Sequence, residues 1–368
     1  MVGYRSDPSS EYLTFLDRLE ASVETGWVNP ETQFFKFGTS IRQIDRDEYR
    51  AARDTDFYRE AGIFRRTNID QVIQRTDTSR ISVVITDLFQ NDQDTNSIVS
   101  SIRDRCLRQG IKVGVFGIPS SFDGQVFDAR VGPYSYASTP GDASTRRPFY
   151  ALVFGKSEDL RLFSDTLVRQ ELVPASNTLL MTDYIVESYK GRIERAQSTA
   201  GVNKSVNGDG DFNFIMNAEV PEANLTAHLV TQQYASAPSI DAGDIRAIAR
   251  LTSGQTTSAV ASGEAAPIAD NITFDEVTAD GDTLHVPFRI EQPDPGTYVY
   301  QILLRADSPG ALSSPAWIQS LSSSNPTASE DPNKTLNLET FVQRTLNAYA
   351  TINKPLVSMF TVQVRKND

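Results

Sequence analysis

The chain has 368 residues, of which 39% are hydrophobic and 22% charged, a balance that fits globular domains at a length that predicts two of them. Its formal net charge of −12 argues against a nucleic-acid partner, whose phosphates require a basic face, and no apolar run approaches the roughly 18 residues of a membrane span. The single cysteine, Cys106, excludes an intramolecular disulfide and a multi-cysteine zinc site.

In chain order, a polar segment over residues 7–10 precedes Tyr12, Phe15, Leu16, Leu19 and Val23, whose spacing predicts an amphipathic helix with one buried face. Residues 33–37 and 40–44 read as two short strands about Gly38 and Thr39, a hairpin. After a polar connection over residues 47–60, Thr67 stands where a helix N-cap belongs, with Asp70 three residues on. Then come two short β-branched runs, residues 81–86 and 111–118. Between them Ile98, Val99, Ile102, Cys106 and Leu107 form a helical stripe closed by Gly110. Strand, helix and strand at this spacing predict a right-handed parallel crossover, with both strands buried on both faces. Asp87 ends the first of them, at the edge where open α/β sheets bind ligands.

Residues 119–147 read as a long loop leaving the same edge, rich in Gly, Ser, Asp and Tyr, a length that is usually functional or disordered. Residues 147–154 are a third buried strand, Leu160, Phe163, Leu167 and Val168 mark a helix, and residues 177–183 are a candidate strand. Residues 191–211 are polar and poor in apolar side chains, which predicts a linker between a first domain over residues 1–190 and a second over residues 212–368. In the second, the hydrophobic period changes to two and turns punctuate several short strands, predicting an all-β, immunoglobulin-like sandwich interrupted by one helix near residues 338–349. His228 and His285, the only histidines, lie far apart in predicted strands, so no histidine triad or metal cluster is expected.

The order of elements over residues 1–190 resembles a von Willebrand factor A domain: a hairpin, Thr67 before a helix, Asp87 after a strand, then crossover, strand, loop and strand. The resemblance implies a Rossmann-like α/β fold with a mostly parallel sheet flanked by helices. In that family a metal-ion-dependent adhesion site draws on an Asp-x-Ser-x-Ser segment after the first strand, a Thr before a later helix and an Asp ending the fourth strand. Thr67 and Asp87 match the second and third contributors, while Thr86-Asp87-Leu88 departs from the family's usual Asp-Gly. The first contributor and its strand are missing, so the reading expects an N-terminally truncated form, with the motif and any targeting segment upstream of Met1.

The resemblance therefore implies Mg2+, weakly held here by Thr67 and Asp87 because magnesium wants six hard oxygen ligands. The implied partner is a protein whose carboxylate completes the coordination. The contact surface would comprise Gln90, Asn91 and Asp92 with Asp123, Tyr134 and Tyr136 of the long loop, where tyrosines resemble the aromatic anchors of binding loops. A bland alternative stands beside each residue: Asp92 answers the helix dipole, Asp123 is solvated, and the tyrosines pack the loop. The expected function is non-enzymatic adhesion or protein binding. The alternative is a metal-dependent, phosphoesterase-like hydrolase that activates water on the same acidic edge.

Overall fold

The computed structural model describes residues 1–59, 67–88, 92–128, 132–195, 202–206, 211–253, 267–291, 294–324 and 331–367. The chain divides into two units. Unit 1 is Met1–Thr182 with Ser314–Ile352, and unit 2 is Asp183–Ser313 with Asn353–Asp368. The chain thus passes between the units three times. The expected boundary moves accordingly, and the described parts of residues 191–211 are strand rather than linker.

Unit 1 opens with α1 (Glu11–Gly26), whose N-cap Ser10 accepts the Leu13 N–H at 3.3 Å, satisfying one of the orphan donors of a helix start. The hairpin β1 (Phe34–Phe37) and β2 (Ile41–Ile44) follows, with Phe37 opposite Ile41. Next come α2 (Arg46–Arg50), α3 (Ile69–Ile73), β3 (Ser82–Thr86) and α4 (Asp92–Ser101). Residues 102–106 continue α4 as a π-turn that ends, after a 3-10 turn, at Gly110 with φ +78°, where a side chain would be strained. Then come β4 (Lys112–Ser120), β5 (Asp123–Asp128), β6 (Gly132–Ala137), β7 (Arg147–Gly155), α5 (Ser157–Arg169) and β8 (Thr178–Met181). After unit 2's long segment, α6 (Ala316–Leu321) and α7 (Leu338–Asn353) complete the helices.

The sheet of unit 1 has the order β3-β7-β4-β8, and every neighbouring pair in it is antiparallel. This corrects the expected parallel, Rossmann-like arrangement. The strand–helix–strand connection does run from β3 to β4, and the two strands point the same way, but β7 lies between them. The β7–α5–β8 connection likewise skips over β4, so two split β-helix-β units interleave. The physical reason for the error is specific. A continuous apolar run reports that both faces are covered; it carries no information about the direction of the neighbouring strand. The segment expected as a loop, residues 119–147, contains the antiparallel hairpin β5–β6, which reverses the chain and sends β7 back between its predecessors.

Both faces are covered. Phe116 and Ile118 of β4 with Phe149, Ala151 and Val153 of β7 join Tyr12, Phe15 and Leu16 of α1 and Leu160, Phe163 and Leu167 of α5 in one core. The opposite-parity residues Val113, Val115, Leu152 and Phe154 are fully buried as well. On that side Gly117 admits the Trp317 ring of α6, which a Cβ would meet at 2.6 Å. Cys106 is buried beside Thr76, whose Oγ1 lies 3.5 Å from its Sγ, and burial pushes the thiol up to about 11. That is the behaviour of a core cysteine.

Unit 2 is two packed sheets. Its strands are β9 (Val186–Arg195), β10 (Val202–Val206), β11 (Asp211–Met216), β12 (Glu222–Gln233), β13 (Ile245–Ser253), β14 (Ile272–Phe274), β15 (Thr278–Asp280), β16 (Thr283–Glu291), β17 (Gly296–Ala306) and β18 (Leu356–Lys366). One sheet has the order β10-β11-β18-β17-β13, the other β14-β16-β12-β9 with β15 also on β16. Phe288 and Phe360, ring centroids 6.3 Å apart, join the two. The expected immunoglobulin-like sandwich is corrected in two respects: β11 and β18 pair in parallel, and β10 and the second half of β9 come from the stretch expected as linker, the first half of β9 from the stretch expected in the first domain. The two-residue period is real. Along β12, Ala223, Leu225, Ala227 and Leu229 are buried while Asn224, Thr226, His228 and Val230 alternate with them on the outer face.

Candidate functional site

The sequence-predicted edge of unit 1 comes apart into pieces with different roles. Thr67 is exposed, and the N-cap of α3 is Asn68 instead, whose N–H donates to the Gly38 carbonyl at 3.0 Å. Asp87 does close β3, and the chain turns sharply after it. Leu88 is buried with φ +47°, its N–H held by Thr86 Oγ1 at 3.1 Å. Gln90 and Asn91 lie outside the described residues. Asp92 begins α4, and its side chain also lies outside the description.

The turn delivers Asp87, half-buried, to the start of β7. There Arg147 is buried with only 1% of its surface exposed. Its guanidinium donates to the Pro332 carbonyl and, at 3.1 Å, to the Lys334 carbonyl. Tyr150 donates to Thr335 Oγ1 at 3.0 Å and Tyr4 to the Pro148 carbonyl at 2.6 Å. Burial is the largest cause raising both phenols; Arg147 opposes that rise in each and Asp87 reinforces it. Asp87 and Arg147 are therefore charges of one internal polar cluster. This is how a buried arginine is kept: its donors are spent on carbonyls that the core would otherwise strand.

This donor set does not fit Mg2+. A carboxylate in the field of a buried guanidinium and an exposed hydroxyl are far from six hard oxygens. Among the described residues, no group of three or more His, Cys, Asp or Glu side chains is placed to hold a metal ion. A surface depression of unit 1, about 280 Å³, is lined by Leu16, Asp17, Glu20, Tyr49, Arg50 and Arg53. Its charges answer one another, Arg53 pairing with Asp17 and Arg50 with Glu20, and the lining is more polar than that typical of small-molecule sites.

Asp123, Tyr134 and Tyr136 come together on one structure, the β5–β6 hairpin. Its base is fixed. The Ser138 N–H donates to the Phe122 carbonyl at 2.7 Å, and Tyr136 stacks on Phe122 with ring centroids 6.2 Å apart while its hydroxyl donates to the Thr145 carbonyl. Gly124 approaches the Gly3 backbone so closely that a Cβ would lie 2.8 Å from the Gly3 Cα. Along the arm, Asp123, Gln125, Pro133 and Ser135 are exposed and Tyr134 is half-buried, with Gln125 Nε2 donating to Ser135 Oγ at 2.6 Å. The ring of Tyr136 faces the base of the hairpin and packs against the core.

Unit 2 holds the constellation that sequence reasoning missed. His228 and His285, 57 residues apart, are direct cross-strand partners on β12 and β16. Their Nδ1 atoms lie 2.7 Å apart with the rings at 84°. Arg192 on β9 and Thr278 on β15 extend the same row across four strands. The available signal was parity. Each histidine sits between two buried apolar neighbours, Ala227 and Leu229 or Leu284 and Val286, so both face outward. That they stand opposite each other depends on register, which the hydrophobic pattern fixes only as odd or even. Compared with family models, curated proteins and solved structures, the chain finds no match.

Proposed function

We propose that the chain is a non-enzymatic binding protein that engages a protein partner through the β5–β6 arm of unit 1. The observation that carries this reading is the division of labour within the hairpin. Its base is locked by the Gly3–Gly124 approach and by Tyr136, while Asp123, Gln125, Pro133 and Ser135 are presented to solvent, and half-buried Tyr134 lies on the other face of the hairpin, beside Val126 and packed against the core. Tyrosine offers a large amphipathic contact at low entropic cost, and Ser and Gln add adaptable hydrogen bonds. A rigid base limits the ordering cost of association. The internal use of Asp87 by the Arg147 cluster favours binding over hydrolysis as the work of unit 1.

A photo-crosslinking residue at Ser135 of the full chain, in its native cell, should give a discrete protein adduct that the Tyr134→Ala variant loses. The same residue at exposed Glu31 should not give it. Adducts that are identical from both positions, or that survive Tyr134→Ala, would sink the reading.

A further inference from the structure

We propose that His228 and His285 form a binding site for a divalent transition-metal ion of the Cu2+ or Ni2+ type. This site lies in unit 2 and is independent of the arm. The chain has only two histidines, and both are spent on one point: their Nδ1 atoms converge at 2.7 Å. Two imidazole nitrogens this close share either a hydrogen bond, one ring donating its N–H to the other's lone pair, or a cation beside them that both ligate. With metal–nitrogen bonds of about 2.05 Å, a right-angled pair of ligands stands about 2.9 Å apart and a tetrahedral pair about 3.3 Å apart. The observed separation is a few tenths of an ångström from the first value and clearly short of the second. The bite therefore suits the cis positions of a tetragonal ion better than tetrahedral Zn2+.

The platform supports the same conclusion. β12 is paired on both sides, by β9 and β16, and β16 is paired by β12 on one side and by β14 and β15 on the other, so neither histidine stands on a free edge. Sites carried on interior strands hold their geometry better than sites on loops. The neighbours along each strand are buried in the sandwich core, which fixes both Cα–Cβ directions and leaves only side-chain torsions to open the pair. No third His, Cys, Asp or Glu joins them among the described residues, so water or an outside donor fills the remaining positions. Mg2+, which demands oxygen ligands, should not compete. Because the ion must displace the bridging proton, affinity should fall as the imidazoles protonate.

The test is a titration of Cu2+ into the untagged full-length chain at neutral pH, followed by calorimetry and electron paramagnetic resonance. The expected result is one ion per chain with hyperfine coupling to two imidazole nitrogens, unaffected by excess Mg2+. Loss of a supporting outer-shell group typically weakens metal binding about 10–100-fold, so His228→Ala and His285→Ala should each weaken it by at least that much, and the double variant should abolish it. Circular dichroism of the variants establishes that the sandwich is intact. Should a variant fail to fold, the nitrogen couplings of the unaltered chain decide by themselves. Absence of binding, a spectrum without two nitrogens, or unchanged binding in the double variant would each overturn the proposal and leave the pair a proton-sharing contact.

Discussion

Strand β7 of unit 1 buries all nine of its residues, whereas β12 of unit 2 buries alternate ones along most of its length. The difference decides where each unit can keep chemistry. A strand covered on both faces has no side chain to spare, so polar groups in unit 1 gather at strand ends, as Asp87 and Arg147 do, or on an appended hairpin. A strand covered on one face keeps half of its side chains available, and the outer face of β12 and β16 is where the two histidines meet. The contrast also makes the units electrostatically unequal, because unit 1 encloses Arg147, Tyr4 and Tyr150 almost completely.

The largest expected break between the units is alkaline. In unit 1, burial raises the phenols of Tyr4, Tyr12, Tyr49 and Tyr150, and pushes Tyr58 up to about 12. The unfolded chain releases such protons near pH 10, and each unit of difference is worth about 1.4 kcal/mol. A raised folded value means that the native state holds more protons in this window. The stability is thus fully present below about pH 10 and is lost as pH rises through 12 and beyond. Both tryptophans, Trp27 and Trp317, lie in unit 1. Tryptophan emission should therefore report unfolding at a lower alkaline pH than the β signal of unit 2 in circular dichroism. Coincident transitions, or tyrosine ionisation near pH 10 without unfolding, would dissolve the contrast.

A smaller effect separates two arginines. Arg147→Ala strands the Pro332 and Lys334 carbonyls and removes a buried positive charge from the cluster that also holds Asp87. Breaking a buried ionic arrangement in this way costs about 3–5 kcal/mol. Arg289 of unit 2 is 45% exposed and pairs with Glu291 at 3.2 Å, so Arg289→Ala should cost at most about 1 kcal/mol. Urea unfolding followed by tryptophan emission for the first and by circular dichroism for the second checks both. Equal costs would mean that the Arg147 cluster is wetter than its burial indicates.

Much of this architecture was legible in the sequence, and the limits have physical causes. The helical spacing of Tyr12, Phe15 and Leu16, the hairpin about Gly38, and the period-two strands of unit 2 all report local burial, which periodicity encodes. Strand direction in unit 1 was not legible, because Val113 and Val115 would be buried equally beside a parallel or an antiparallel neighbour. The return of residues 314–352 to unit 1 was hidden for a similar reason: an amphipathic helix such as α7 shows that it has a buried face, but not which core receives it. Of the expected site, Asp123, Tyr134 and Tyr136 share one hairpin, whereas Asp87 joined a cluster whose key member, Arg147, looked like the polar start of a strand. The histidine pair rests on register across 57 residues, and no single segment contains that.

The finest comparison is between two glycines, each at a tight crossing. At Gly124 an added Cβ would meet the Gly3 Cα at 2.8 Å, and at Gly191 it would meet the Phe212 ring at 2.8 Å and a Leu229 methyl at 3.0 Å. The distances are alike, but the obstacles are not. Backbone cannot move without shifting the N-terminal turn that carries Tyr4, whereas a ring and a methyl yield by rotation within the sandwich. Overpacking of this kind costs about 1–3 kcal/mol. Gly124→Ala should fall near the top of that range and Gly191→Ala near the bottom. Gly124→Ala should also loosen the β5–β6 arm, seen as faster amide exchange over residues 123–137 with little change across β4 and β7. If Gly191→Ala proves the costlier, the sandwich is the more tightly packed of the two units at its crossing, and the locked base assigned to the binding arm loses its main support.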